Sequence, residues 1–251
     1  MRIFLILLGR EIKAFFYSPV AYVVLFCFLV LTGFNFYMTV ALMNKGSSEI
    51  TAVEAFFNTI PFWICALLVF PLITMRLFSE EFKLGTIEPL MTAPVKDWQV
   101  VLSKFFGALF FYIILWAPSA AYFPIFEWVT KTHAAYSPGA YFGSYSFMLL
   151  IGMFYISIGC LASALTSNQI VAAIMSLAAI ILLFLSGLLS IFVLNVTPAF
   201  RDFVGYFSSI EHMMDFSRGM LDTRPVAYYL TMTTLMLVLT YQVFQSRKWK
   251  M

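Results

Sequence analysis

Two stretches of this chain carry residue types that could do chemistry. The first, residues 76–104, reads RLFSEEFKLGTIEPLMTAPVKDWQVVLSK and sets eight charged residues in 29 positions between two long apolar runs. The second, residues 195–225, gathers Arg201, Asp202, Glu211, His212, Asp215, Arg218, Asp222 and Arg224 among aromatic residues. Glu211, His212 and Asp215 have the atoms to hold a metal, but one histidine with two carboxylates is a weak ligand signal. Ion pairing accounts for the same residues. On a helix, Asp215/Arg218 and Arg218/Asp222 stand three and four positions apart, a ladder of favourable pairs.

Other chemistry is missing from the pattern. No Gly-x-x-x-x-Gly-Lys-Ser/Thr occurs, and Gly85-Thr86 lacks the lysine that would reach a nucleotide's phosphates. ATP turnover by this chain alone is therefore not expected. His133 and His212 are the only histidines, and both fall outside the apolar runs, so no serine within a run has an evident base. Cys27, Cys65 and Cys160 match no metal spacing and read as small packing residues. No cofactor of the chain's own and no nucleic-acid partner is expected.

The elements that position these residues follow from composition. Hydrophobic residues make up 62%, charged residues 11%, and the mean hydropathy is +0.92. Soluble domains carry about 25% charged residues, so the solvent implied here is a lipid bilayer. Backbone amides in hydrocarbon must pair internally, and long apolar runs without period-two alternation make the spans helices. Six are expected, at 20–42, 57–75, 100–123, 147–165, 170–194 and 226–244. Residues 132–200 contain no Lys, Arg, Asp or Glu, which argues against an ion-coupled carrier with ionisable groups in the membrane.

Residues 1–17 are too polar after Arg10 for a signal peptide and show no cleavage site. Phe4, Leu5, Leu8, Ile12 and Phe15 share one helical face and Arg2, Arg10 and Lys13 another. The pattern predicts an amphipathic helix in the headgroup plane, ended by Ser18-Pro19. With this helix inside, ten Lys and Arg flank the inner ends of the spans (Arg2, Arg10, Lys13, Arg76, Lys83, Lys96, Lys104, Arg247, Lys248, Lys250). Five flank the outer ends (Lys45, Lys131, Arg201, Arg218, Arg224). That split places both termini in the cytoplasm. Small residues at four-residue spacing, Gly159/Ser163/Ser167 and Ala172/Ser176, mark faces for close helix packing, within one bundle or between two.

The first charged stretch is then a cytoplasmic loop. It extends the second span, turns at Leu84-Gly85, and is predicted to form a short helix over 87–92 with Thr86 as cap and Pro89 in the first turn. Charge runs usually mark a solvated face. Phe78, Phe82, Leu84, Ile87, Leu90 and Met91 make this one too apolar for a plain connector, and point to a docking surface.

At these residues the chain resembles the ABC-2 type permeases. Arg76-x-Phe78-x-Glu80-Glu81-x-x-x-Gly85-Thr86-Ile87-Glu88-x-Leu90-x-x-Ala93-Pro94-Val95 is similar to their cytoplasmic loop signature. Ser209-x-Glu211-His212-x-x-Asp215-Phe216-x-Arg218-Gly219-x-x-Asp222 resembles a segment of the branch associated with gliding motility and nitrous-oxide-reductase maturation. Pro89 departs from the usual pattern, which has an aliphatic residue there.

The resemblance implies an all-α, polytopic membrane protein of six spans with an N-terminal interfacial helix. It would form a single domain over 1–251, with the coupling loop at 76–99 and an extracytoplasmic loop at 195–225. The loop would carry a coupling helix seated on a separate ATPase that binds ATP and magnesium. Glu80, Glu81, Thr86 and Glu88 would supply the polar part of that contact, Ile87 and Leu90 its apolar anchors, and Gly85 would belong to the same coupling loop. Glu211, His212, Asp215, Arg218 and Asp222 would line the outer exit. The assembly would pair two permeases, copies or paralogues, with two ATPases in a bacterial inner membrane. Two functions fit: an exporter's permease subunit, or a non-transporting module relaying ATPase strokes to an assembly or motility machine.

Overall fold

The computed structural model describes residues 2–44, 50–87, 95–131, 137–192 and 205–248, with backbone alone at 186, 188–192 and 248. Among these residues every regular element is a helix. In chain order they are α1 (Arg2–Tyr17), α2 (Pro19–Met43), α3 (Ala52–Phe57), α4 (Ile60–Thr74), α5 (Ser79–Leu84), α6 (Asp97–Ala120), α7 (Tyr122–Thr130), α8 (Pro138–Leu165), α9 (Gln169–Phe192), α10 (Ser209–Ser217) and α11 (Thr223–Lys248).

Five stretches are long and apolar enough to cross a membrane: Pro19–Met43, Ile60–Leu84, Asp97–Thr130, Pro138–Leu165 and Thr223–Arg247. The span expected at 170–194 coincides with α9. Its apolar described part, Gln169–Leu185, is shorter than the roughly 20 residues a crossing needs. Proline sets several of the boundaries. Pro19 and Pro138 sit in first turns, where a missing N–H costs nothing. Pro71 and Pro118 sit in the last turns of α4 and α6, where the lost backbone bond ends the regular helix.

The hub is α8, which packs against α4, α6, α9, α10 and α11. Its small-residue face is spent inside the bundle. A Cβ on Gly159 would lie 2.1 Å from Thr74 Oγ1 of α4, so only glycine lets these two helices come so close. One turn on, Ser163 Oγ accepts the backbone N–H of Phe78 (3.0 Å) and Ser79 (3.1 Å). Those donors open α5 and have no partner within it. On α9, Ala172, Ser176 and Ile180 form the buried face.

Helix α1 obeys its predicted period, but its face is rotated. It lies along α6, and the residues it turns inward are Phe4, Leu7, Glu11 and Phe15. Phe15 stacks on Phe111 at 5.0 Å and Phe4 meets Phe106 edge-on at 6.3 Å. Leu5, expected on the apolar face, is 61% exposed. Gly107 is the reason α1 sits so near: a Cβ there would be 2.9 Å from Glu11 Cβ. The N-terminal helix therefore packs on the bundle as well as offering an apolar edge outward.

Candidate functional site

The charged residues of α1, α5 and α6 converge at one end of the bundle. Lys104 lies two turns into α6 and is 1% exposed. Its ammonium is 2.9 Å from Glu81 Oε1 of α5 and 3.3 Å from both carboxylate oxygens of Glu11 on α1. Arg10 closes the knot from outside, 2.8 Å from Glu11 and 3.0 Å from Glu81. Burial pulls the Arg10 guanidinium down, but the two carboxylates outweigh it and hold it above its ordinary value. Lys104 also lies 5.5 Å from the centre of the Phe78 ring. Two acids and two bases from three elements balance in one place.

The rest of this end ties the same loop to other helices. Arg76 donates to Ser18 Oγ at the start of α2, at 2.8 Å. Ser79 Oγ donates to the Met75 carbonyl. From the far end of the chain, Arg247 of α11 lies over the Phe82 ring at 4.4 Å. Thus α1, the base of the loop and the end of α11 share one side of the bundle, as the distribution of Lys and Arg predicts.

The expected docking residues divide. Gly85 takes the left-handed conformation (φ 69°) that ends α5, and Gly85 and Thr86 are exposed. Glu81 was expected to reach outward, yet its side chain is engaged by Arg10 and Lys104. Ile87, expected as an anchor for a partner, is 1% exposed within the chain itself. Glu80 faces the cleft beneath α1. Glu88 and Leu90, and most of the short helix expected over 87–92, lie outside the described residues.

At the opposite end the predicted ion-pair ladder keeps Asp215 and Arg218 within electrostatic reach of each other but loses its Asp222 rung. Helix α10 stops at Ser217 and Gly219 adopts φ 83°, so Asp222 is out of helical register with Arg218. Arg218 Nε reaches across to Glu54 of α3 instead, at 2.8 Å. Asn58 Nδ2 adds a 3.1 Å bond to Ser217 Oγ, and Thr59 Oγ1 bonds Asn35 Oδ1 at 2.7 Å, linking α10, α3 and α2. Burial pushes the Asp215 carboxyl up, with Arg218 pulling against it. Glu211, His212 and Asp222 border a second cavity of about 480 Å³ with Arg224 and Tyr228. Among the described residues no three His, Cys, Asp or Glu could hold a metal.

His212 is 8% exposed and its Nδ1 lies 3.4 Å from Tyr229 Oη. Tyr229 in turn shares Ser209 Oγ with Tyr155, at 3.1 and 2.9 Å, so α8, α10 and α11 meet in one hydrogen-bonded cluster. Burial lowers the His212 pKa, and Glu211 and Asp222 offset this only in part. The unfolded chain then binds a proton at higher pH than the folded one. Stability should be full above the ordinary histidine value of about 6.5 and fall as pH drops from there toward the lowered folded value. Thermal unfolding between about pH 7.5 and 5.5 should show this loss, and His212→Gln should flatten it. An unchanged slope in the variant would assign the pH dependence elsewhere.

Two kinds of residue escaped the sequence. Lys104 reads as a flanking charge, and Glu11 and Glu54 lie in no recognised motif. A lone carboxylate on the edge of an otherwise basic amphipathic face is the signal Glu11 does carry. Comparison with known families gives one match: a family model described as ABC-2 family transporter protein covers residues 6–249. No curated protein matches the chain.

Proposed function

We propose a mechanical role for this chain from the premise that it belongs to the ABC-2 family of transporter proteins, whose model takes in nearly all of it. It is a polytopic integral membrane protein and the permease component of an ABC transporter, not the catalytic part. Our reading adds α9 as a sixth span, both termini in the cytoplasm of a bacterial cell, and a separate ATPase that binds ATP and magnesium. Two permeases, copies or paralogues, would work with two such ATPases, in the direction of export.

The observation that carries this reading is the buried ion-pair knot at the base of the loop. A coupling loop is useful only if a push on it moves the spans, and here α5 is joined to α6 and α1 through Glu81, Lys104, Glu11 and Arg10. Removing one partner from such a buried pair costs about 3–5 kcal/mol, because the other charge is stranded. Separating the three elements is thus resisted, and a displacement of α5 carries α1 and the third span with it. The docking surface is then the segment from Gly85 to Leu90, while Glu81 serves the transmission behind it.

Docking and transmission can be tested apart. Leu90→Asp should reduce capture of the ATPase about tenfold or more, since apolar anchors carry most of an interface's energy, while membrane insertion is unchanged. Ile87 is a poor probe because it is buried in the chain's own core. Glu81→Gln should keep capture and lose the coupling of ATP hydrolysis to permease movement. The purified chain should show no ATPase activity until its partner is added. Turnover by the chain alone, or full capture by Leu90→Asp together with Glu88→Lys, would overturn the reading.

A further inference from the structure

The cleft beneath α1 has features that the relay does not use. A cavity of about 430 Å³ opens between α1, the first turns of α2 and the last turns of α4. One wall is apolar, with Val20 and Val24 from α2 and Leu72 from α4. Val20 and Leu72 are 41% and 43% exposed, so this wall faces the surroundings rather than the core. Because α2 starts at Pro19 and α4 ends at Thr74, these side chains sit in the terminal turns of two spans. That is the depth at which hydrocarbon gives way to headgroups. The polar side of the same cavity holds Arg76, Glu80 and Glu81, with Glu11 and Lys104 of the knot, already paired with each other, at its back. A ligand with a polar head and apolar tails fits that division.

The charges specify the head. Arg76 gives one N–H to Ser18 and has no carboxylate in pairing distance among the described residues. Its planar guanidinium suits a phosphate, which it can hold through two parallel bonds. Glu80 has no hydrogen-bond or ion-pair partner among the described residues. Glu81 turns Oε1 to Arg10 and Lys104, while its Oε2 is buried with no donor. Buried carboxylate oxygens are normally paired. Among the described residues the cavity thus presents one cation short of an anion, one carboxylate without a donor and one carboxylate oxygen, Glu81 Oε2, short of an N–H.

We propose that this cavity binds an aminophospholipid of the phosphatidylethanolamine class. Its phosphate would rest on Arg76, its primary ammonium between Glu80 and Glu81 Oε2, and its acyl chains along Val20, Val24 and Leu72. A choline head carries the same charge but has no N–H to give Glu81. A glycerol-headed anionic lipid supplies the phosphate but brings no cation to Glu80 and no ammonium N–H to Glu81 Oε2. The site lies under α1, on the flank of the ion-pair knot, so an occupied cavity stiffens the joint between α1 and the loop.

The test uses the full chain in lipid nanodiscs of mixed composition, with bound lipid read by native mass spectrometry and stability by thermal unfolding. Phosphatidylethanolamine should be retained about tenfold over phosphatidylcholine and phosphatidylglycerol, a difference on the scale of one charge-assisted bond. Retention should fall stepwise as the amine is methylated. Glu80→Gln should remove the preference without changing unfolding in phosphatidylcholine alone, whereas Arg76→Gln should lower retention of all three phosphate-bearing lipids alike. Glu80→Gln is the safer variant, since Glu80 has no internal partner to lose. Equal retention of the ethanolamine and choline lipids would reduce the cavity to general lipid contact and overturn the proposal. Preference for phosphatidylglycerol would overturn it too, as would equal binding of glycerophosphoethanolamine, which has the head and no tails.

Discussion

Lys104→Met should cost up to about 3–5 kcal/mol of stability, because it strands two largely buried carboxylates at the back of the cleft. Methionine fills a similar volume, so the loss reads the charges rather than a cavity. Glu11 and Glu81 would be left facing each other across the gap, with Arg10 alone to neutralise them from a half-exposed position. The companion variant separates this account from plain disruption. Lys104→Met combined with Glu11→Gln and Glu81→Gln removes all three charges and should recover much of the loss, since a neutral core is often no worse than a buried pair. Thermal unfolding in one detergent checks both. A single variant that melts with wild type, or a triple variant no better than the single, would count against the knot.

The second large effect is expected at Gly159. Alanine there would bring its Cβ to 2.1 Å from Thr74 Oγ1 and 2.5 Å from Thr74 Cβ, and the second contact cannot be relieved by turning a side chain end. Either α4 and α8 part or the backbone bends, at a cost of about 1–3 kcal/mol or more. Parting these helices would also pull Ser163 from the N–H groups of Phe78 and Ser79, and with it the anchorage of α5. Thr74→Gly in the same chain opens the space, so the double variant should be more stable than Gly159→Ala alone. A double-mutant cycle with a coupling energy near zero would mean the two residues do not meet; about 0.5–3 kcal/mol is expected.

The contrast between these two sites shows what the sequence could carry. Gly159 and Ser163 were legible as a close-packing face, because small residues four apart are a local pattern. That their partner is Thr74 and the turn after α4 is a long-range fact, and no local pattern holds it. Five of the six expected spans were legible from run length, and the shared side of α1, the loop and α11 from Lys and Arg counts. Lys104 was misplaced because α6 starts at Asp97 rather than near residue 100, which moves its charge from the loop's edge into the packed region. The face of α1 was off because hydrophobicity alone was used to orient it. Glu11 turns inward for a cation that lies 93 positions away. The Asp215/Arg218/Asp222 ladder assumed a helix running on to Asp222, and a left-handed glycine ends it sooner.

The order of the knot's members along the chain has a consequence for how the protein is made. Lys104 is the last of the four to leave the ribosome, after Arg10, Glu11 and Glu81. A lysine entering a lipid environment alone is costly, yet both of its acceptors have already been delivered on segments that precede it, and chains assemble from the N-terminus during synthesis. A third span that brings Lys104 to Glu11 and Glu81 meets its counter-charges there rather than bare lipid. The contact that holds α1, α5 and α6 together in the folded protein is thus completed only when the last of its members is made.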